Sequence, residues 1–299
     1  MRVLVADDDS VTRHLLKVSL ERWKYEVILA EDGTQALKAL FEEDAPKIAI
    51  LDWIMPGKDG IDICRELRKR GSGPYIYCLL LTSKGGKEDL LKGLEAGADD
   101  YLIKPFDPME LKARLWSGRR ILALQDRLVA ARDAMLHQAT HDALTGTWNR
   151  VAILNTLQRE LNRSLREENP LSVIMVDLDH FKQINDRWGH QTGDDVLRDV
   201  TKRMESVLRP YDVLGRYGGE EFVVIVPGCD GNTALGLAER LRGAVNARPV
   251  LTSNGSLSIT LSLGVSSLSK GLTSESLLQR ADEALYGAKR AGRNRSQAA

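Results

Sequence analysis

Short apolar runs alternate with helix-patterned segments through about residue 115. Val3-Leu4-Val5, 48–51 and 76–81 are continuous in apolar character rather than alternating. Strands covered on both faces read this way. The pattern predicts repeated βα units and therefore a parallel, doubly wound α/β sheet.

From roughly 107 to 141 the period changes to that of one long helix. Ile121, Leu128 and Met135 recur every seven residues, with Leu124 and Ala131 three further on. This is a short heptad seam suited to a parallel two-helix contact. Leu122, Val129 and Leu136 widen the stripe, while Gln125, Asp126, Arg127, Arg132 and Asp133 keep much of the surface charged. The seam predicts a dimer-forming linker, against the plainer reading of a helix packed on its own domain.

The stretch 142–299 reads as a second α/β domain. Helices are predicted over 149–168, 194–208, 233–245 and 274–288, and strands over 171–176 and 257–266. A hairpin over 213–217 and 222–226 flanks Gly218-Gly219. The predicted division is 1–118, a helical linker over 119–141, and 142–299.

A chain of 299 residues can bury two cores. Lysine plus arginine equals aspartate plus glutamate, 42 each. That balance argues against a general nucleic-acid or membrane-surface binder, and no helix-turn-helix pattern follows the linker. Cys64, Cys78 and Cys229 are odd in number and scattered, with neither metal spacing nor a disulfide framework. They suit a reducing compartment. The apolar runs are too short to span a bilayer, and the N-terminus shows no leader pattern. The expected location is cytoplasmic.

Ligands of open parallel sheets sit beyond the carboxyl ends of the strands. Here those ends carry Asp7-Asp8-Asp9, Asp52, Thr82-Ser83 and Lys104-Pro105. Clustered carboxylates repel one another unless a cation lies among them, and an all-oxygen set suits Mg²⁺. A carboxylate beside such an ion can attack phosphorus to form an acyl phosphate. Lysine and hydroxyl can then hold the new oxygens. The segments "VADDDS", "LDWIMPGKDG", "LLTS" and "YLIKPF" resemble the receiver domain of response regulators over residues 1 to about 120. The resemblance implies a flavodoxin-like fold, Asp52 as phosphoacceptor, and Asp7 and Asp8 with Asp52 as Mg²⁺ ligands. It implies Thr82 and Lys104 on the phosphoryl group, and Tyr101 as the aromatic that changes rotamer. It also implies a histidine kinase or phosphotransfer protein as partner. A pseudo-receiver, folded but not phosphorylated, is the alternative, and the intact acceptor set argues against it.

In the second domain a strand ends in Asp177-Leu178-Asp179, and "RYGGEEF" places Glu220 and Glu221 after two glycines. The glycines predict a tight turn that tolerates positive φ and close ligand approach. Carboxylates on neighbouring strand ends suit divalent ions and phosphates. "DALTGTWNR", "DLDHFKQIND", "GHQTGDDVL", "RYGGEEF" and "ADEALYGAKRAGRN", in this order, resemble the GGDEF family of diguanylate cyclases. The resemblance implies a nucleotidyl-cyclase-like mixed sheet that makes cyclic di-GMP from two GTP. It implies Asp177, Glu220 and the Leu178 carbonyl as Mg²⁺ ligands, with Glu221 either a further ligand or the base for the 3′-hydroxyl. Phe181, Lys182, Gly218, Gly219, Lys289 and Arg293 would lie along the phosphates.

Asn185 and Asp194 match the family's guanine-binding pair; for Asn185 an Asn-Asp helix cap is the competing reading. A carboxylate accepts from guanine N1–H and the 2-amino group, donors that adenine lacks, so GTP is expected over ATP. Each domain holds one GTP, so the resemblance implies a homodimer or higher oligomer. Arg209 and Asp212 form an RxxD that, with Arg240, resembles the family's inhibitory product site; a surface Arg–Asp pair is the plain alternative. A catalytically silent domain that binds GTP or cyclic di-GMP under receiver control is the alternative function. The intact Asp177, Lys182, Asn185, Asp194, Glu220 and Glu221 argue against it. His137 and His141 have metal-pair spacing but no third ligand, and read as ordinary helix residues.

Overall fold

The computed structural model describes residues 1–71, 73–83, 87–269 and 271–299. The chain divides into two compact units, Met1–Arg132 and Asp133–Ala299.

The first unit alternates strand and helix: β1 Arg2–Ala6, α1 Ser10–Arg22, β2 Glu26–Ala30, α2 Gly33–Phe41, β3 Ile48–Asp52, α3 Gly60–Lys69, β4 Tyr77–Thr82, α4 Lys87–Glu95, β5 Asp100–Ile103 and α5 Pro108–Thr140. The strands form one parallel sheet in the order β2-β1-β3-β4-β5. Its apolar runs are continuous because both faces are covered. Leu4 and Ala6 of β1 point into one core with α2 and α3, and Val3 and Val5 into the other with α1 and α5. Gly118 lets α5 lie directly on the Tyr77 ring, 2.6 Å from where a Cβ would sit.

The long helix is present as α5, but its stripe divides. Leu122 is buried in the core of the first unit, so it does not widen an outer seam as the sequence suggested. Ile121, Leu124, Leu128 and Met135 are 40%, 61%, 65% and 69% exposed. The helix therefore packs on its own domain as far as Leu122 and bears a solvent-facing apolar seam beyond it. Among the described residues no helix is long and apolar enough to cross a membrane.

The second unit runs α6 Arg150–Glu167, β6 Leu171–Leu178, α7 Phe181–Trp188, α8 His190–Glu205, β7 Val213–Arg216, β8 Glu221–Pro227, α9 Gly231–Asn246, β9 Val250–Thr252, β10 Gly255–Leu257, β11 Leu261–Ser267, α10 Ser274–Arg290 and β12 Ser296–Ala298. The main sheet is mixed, in the order β12-β11-β6-β8-β7, with β12 parallel to β11 and the other pairs antiparallel. The strand expected over 257–266 is two elements. Leu257 ends the small β9–β10 hairpin, and Thr260 turns aside to donate to Asp179 Oδ2 at 2.7 Å before β11 begins. The helix expected from 194 starts at His190, after a break at Gly189 whose φ of +81° suits glycine.

Gly264 lies where α10 crosses β11, and a Cβ there would overlap the Ala281 carbonyl and the Leu285 backbone nitrogen. Gly264→Ala should therefore cost at least about 2 kcal/mol, because backbone atoms cannot swing aside as side chains do. Thermal unfolding of the variant measures this, and an unchanged midpoint would contradict the packing described.

Candidate functional site

The rim of the parallel sheet assembles the first group. Asp7, just after β1, is fully buried, and Asp52 ends β3. Lys104, just after β5, reaches both, at 2.7 Å from Asp7 and 3.1 Å from Asp52. Asp7, Asp8 and Asp52 each present an oxygen, all within 4.8 Å of one another. Burial pushes the Asp52 carboxyl above its ordinary value, the Asp7 charge adds to this, and Lys104 opposes it. Three oxygens held this close in partial burial fit a hard divalent cation. Thr82 is fully buried at the end of β4, and Tyr101 on β5 is half-buried against the α2–α3 core.

Asp9, the third acid of the triplet, stands apart. Its carboxylate caps α1 by accepting from Val11 N at 3.3 Å and Thr12 N at 3.0 Å. The guanidinium of Arg13 donates to the carbonyls of Asp7 and Asp8 at 2.8 and 2.9 Å, fixing the acid loop. Sequence reasoning passed over Arg13, since no motif marks it.

The second group lies at the ends of β6 and β8. Their antiparallel register puts Asp177 directly opposite Glu221, and Leu178 N donates to the Glu220 carbonyl at 3.3 Å. Like charges so placed repel. Lys289, in the last turn of α10, meets Asp177 at 2.7 Å. Burial nonetheless outweighs this ion pair and holds the Asp177 carboxyl above its ordinary value. Glu220 is raised too, by burial and then by the Asp177 charge. These acids form a looser set than the sheet-rim acids, the one group of three the described residues gather within ligand reach. Carboxylates gathered at two adjacent strand ends, with Asp177 and Glu220 raised by burial, fit a divalent ion here as well.

Neither Gly218 nor Gly219 takes positive φ, contrary to the expectation from sequence. What the glycines provide is a turn bare of side chains beside Glu221. A Cβ at Gly218 would lie 2.6 Å from Glu221 Oε2, and one at Gly219 would enter an open approach. Arg216 fixes the turn, donating to the Gly219 carbonyl at 2.6 Å and to Asp142 at 3.1 Å. Beyond Asp142 the chain meets α5. Asn149 caps α6, and its backbone N and Nδ2 donate to the carbonyls of Thr140 at 2.9 Å and Ala139 at 2.8 Å. His137 stacks on His141, which lies just past α5 in a bridge to Trp148 and stacks on its ring, so only His137 is the helix residue the sequence suggested.

Asp179, which the sequence reading left without a role, braces the site. It is buried and accepts from Thr260, Ser262 and the Asn294 backbone N–H, tying the β6 end to the segment after α10. Phe181 opens α7 and is buried, Lys182 beside it is exposed, and no side chain caps this helix. Its first N–H groups are thus available to an anion. Arg293 is exposed beyond α10.

Asn185 lies inside α7, which removes the helix-cap reading. Its Oδ1 is buried without a hydrogen-bond partner, against Gly193, where a Cβ would overlap it. Asp194 is half-buried on α8. Arg209 is exposed and donates to Tyr211 Oη at 3.1 Å. Asp212 Oδ2 accepts from the Arg209 backbone N–H at 2.9 Å, and Oδ1 is buried without a partner. The Asp212 carboxylate thus holds the turn rather than the Arg209 guanidinium. Arg240 is exposed on α9.

Comparison with known proteins gives two family matches. Residues 3–116 match the response regulator receiver domain, and residues 139–295 match the family described as diguanylate cyclase, GGDEF domain. The response regulator PleD of Caulobacter vibrioides is 35% identical over 297 residues, 98% of this chain and 64% of PleD. The chain thus spans just under two thirds of that relative. The coiled coil and GGDEF domain of DgcB from Caulobacter crescentus, solved with c-di-GMP, is similar at 35% identity and a TM-score of 0.58, over 63% of this chain and 99% of that one. The diguanylate cyclase SiaD of Pseudomonas aeruginosa, solved with its activator SiaC, is similar at 37% identity and a TM-score of 0.53, over 64% and 74%.

Proposed function

The chain belongs to the GGDEF family, with a response-regulator receiver ahead of that domain, and from this premise we propose that it condenses two GTP into cyclic di-GMP under control of phosphorylation at Asp52. The observation that carries the reading is the strand register that sets Asp177 against Glu221 beside a turn with no side chains.

Asp177, Glu220, Glu221 and the Leu178 carbonyl would hold Mg²⁺, which when bound supplies Lewis-acid stabilisation of phosphate charge. The open α7 N-terminus, Lys182, Lys289 and Arg293 bind the triphosphate. Asn185 and Asp194 read the guanine edge. Glu221 either serves only as that further ligand or also deprotonates the 3′-hydroxyl. That oxygen attacks the α-phosphorus of the GTP on a partner subunit, and pyrophosphate leaves. The reciprocal attack closes the ring and releases a second pyrophosphate. Two domains must therefore face each other, and the exposed seam of α5 supports pairing of two copies. At the sheet rim, Asp7, Asp8 and Asp52 would hold Mg²⁺ while Asp52 accepts a phosphoryl group from a kinase or phosphotransfer protein. Lys104 and Thr82 then hold it.

The test is nucleotide chromatography after incubation of the protein with GTP and Mg²⁺, with and without beryllofluoride. Cyclic di-GMP should form and should rise with beryllofluoride. No product in either state, once bound inhibitor is stripped, points to the silent binding module instead.

Two exposed guanidinium groups, Arg209 on the RxxD turn and Arg240 on α9, support a product-inhibition site there. Arg209→Ala should leave the initial rate unchanged and raise the cyclic di-GMP concentration needed for half-inhibition by about tenfold or more. Initial-rate measurements at graded product check this, and an unchanged inhibition curve would remove the site.

A further inference from the structure

The small β9–β10 hairpin stands outside the main sheet, yet it is tied to α8 at its base and to the α7–α8 joint at its tip. At its base, the buried Arg203 of α8 donates to the Pro249 carbonyl at 3.0 Å. At its tip, Asn254 Nδ2 donates to Thr192 Oγ1 at 2.7 Å and to the Trp188 carbonyl at 3.3 Å. Thr192 is fully buried and itself donates to that carbonyl at 2.9 Å. Trp188 ends α7, Gly189 makes the break, and Thr192 lies in the first turn of α8. The three groups thus strap the joint between the two helices. They also satisfy a carbonyl at a helix end that would otherwise lack a partner.

The joint matters because α7 carries Asn185 and α8 carries Asp194. Asn185 already lies so close to Gly193 that no Cβ fits between them. A small change in the angle between these helices therefore alters the spacing of the two groups that face guanine. We propose that Asn254 is a specificity-positioning residue: by strapping the α7–α8 joint through Thr192, it sets the spacing of Asn185 and Asp194 and with it the preference for guanine. This rests on the guanine-reading role of that pair. The tip is arranged for the task, since Thr252 Oγ1 accepts from Asn254 N at 3.3 Å and donates to the Gly255 carbonyl at 2.9 Å.

The test uses the full chain with Mg²⁺ and two unreactive probes, 3′-deoxy-GTP and 3′-deoxy-inosine triphosphate, which differ only in the 2-amino group. Calorimetry gives the Kd of each. The wild type should prefer the guanine probe. In Asn254→Ala that preference should fall about five- to tenfold through weaker guanine binding, with the inosine probe little changed. Thr192→Val, which removes the acceptor at nearly constant volume, should reproduce the effect, and Thr192→Ser should not. With GTP as substrate, the loss should fall on KM rather than kcat. A preference kept intact in Asn254→Ala, or parallel weakening of both probes, overturns the proposal while the guanine reading stands. A wild type that binds both probes equally overturns the guanine reading, and the proposal with it.

Discussion

Asp177→Asn should lower cyclic di-GMP formation about a thousandfold or more at saturating GTP and Mg²⁺. The substitution keeps shape but removes the charge that a divalent ion needs, and it leaves the Lys289 ammonium without its partner 2.7 Å away. An unpaired ammonium beside the site would then repel the cation as well. The fold should survive. Burial raises the Asp177 carboxyl above its ordinary value. A group raised in this way favours the folded state fully at pH below its unfolded value, and that contribution is lost as pH climbs through the folded value. At neutral pH without metal, the ionised Asp177 therefore costs stability, and Asp177→Asn should melt no earlier than the wild type in chelator. The same raised carboxyls, Asp177 and Glu220, make protons compete with the cation at higher pH than ordinary carboxylates would. The acid side of the wild-type pH–rate profile should move to lower pH as Mg²⁺ is increased. More than a tenth of wild-type activity in Asp177→Asn would exclude the metal-holding role.

Asp52→Asn should abolish labelling by acetyl phosphate and all stimulation by beryllofluoride, while basal synthesis continues. An amide oxygen is too weak a nucleophile to form the acyl phosphate, and it cannot hold beryllofluoride as a carboxylate does. Lys104 would keep its contact with the buried Asp7. In metal-free buffer at neutral pH the variant should unfold at a higher temperature, because burial and the Asp7 charge both oppose ionisation of Asp52. Stimulation equal to that of the wild type would move the input to another residue.

The sheet-rim group was legible because each polar residue follows a continuous apolar run, and parallel strands carry their ends to one edge. The element types were legible for the same reason of period. Charge alone could not divide the acid triplet, since only the α1 geometry shows that Asp9 caps a helix while Asp7 and Asp8 face Asp52. Leu122 and Ile121 are adjacent and equally apolar, so the pattern could not say which is covered by the first core. The glycine turn was read for positive φ and for close approach; the φ is absent, while the turn is bare beside Glu221. Asp179, Arg216 and Asn254 escaped notice because their partners lie 81, 74 and 62 residues away, beyond any local spacing.

Arg216 has one further consequence. It grips the turn through Gly219 and the domain's opening residue through Asp142, while Asn149 grips the last carbonyls of α5. Hydrogen bonds thus tie the glycine turn to Asp142, and Asn149 to the final turn of α5. The direction in which that final turn presents its carbonyls advances by about 100° for each residue of helix. A replacement upstream module is then expected to work only when its final helix keeps that phase. In building hybrid sensors from this output domain, the length of the splice, counted in single residues, should matter more than the identity of the sensor.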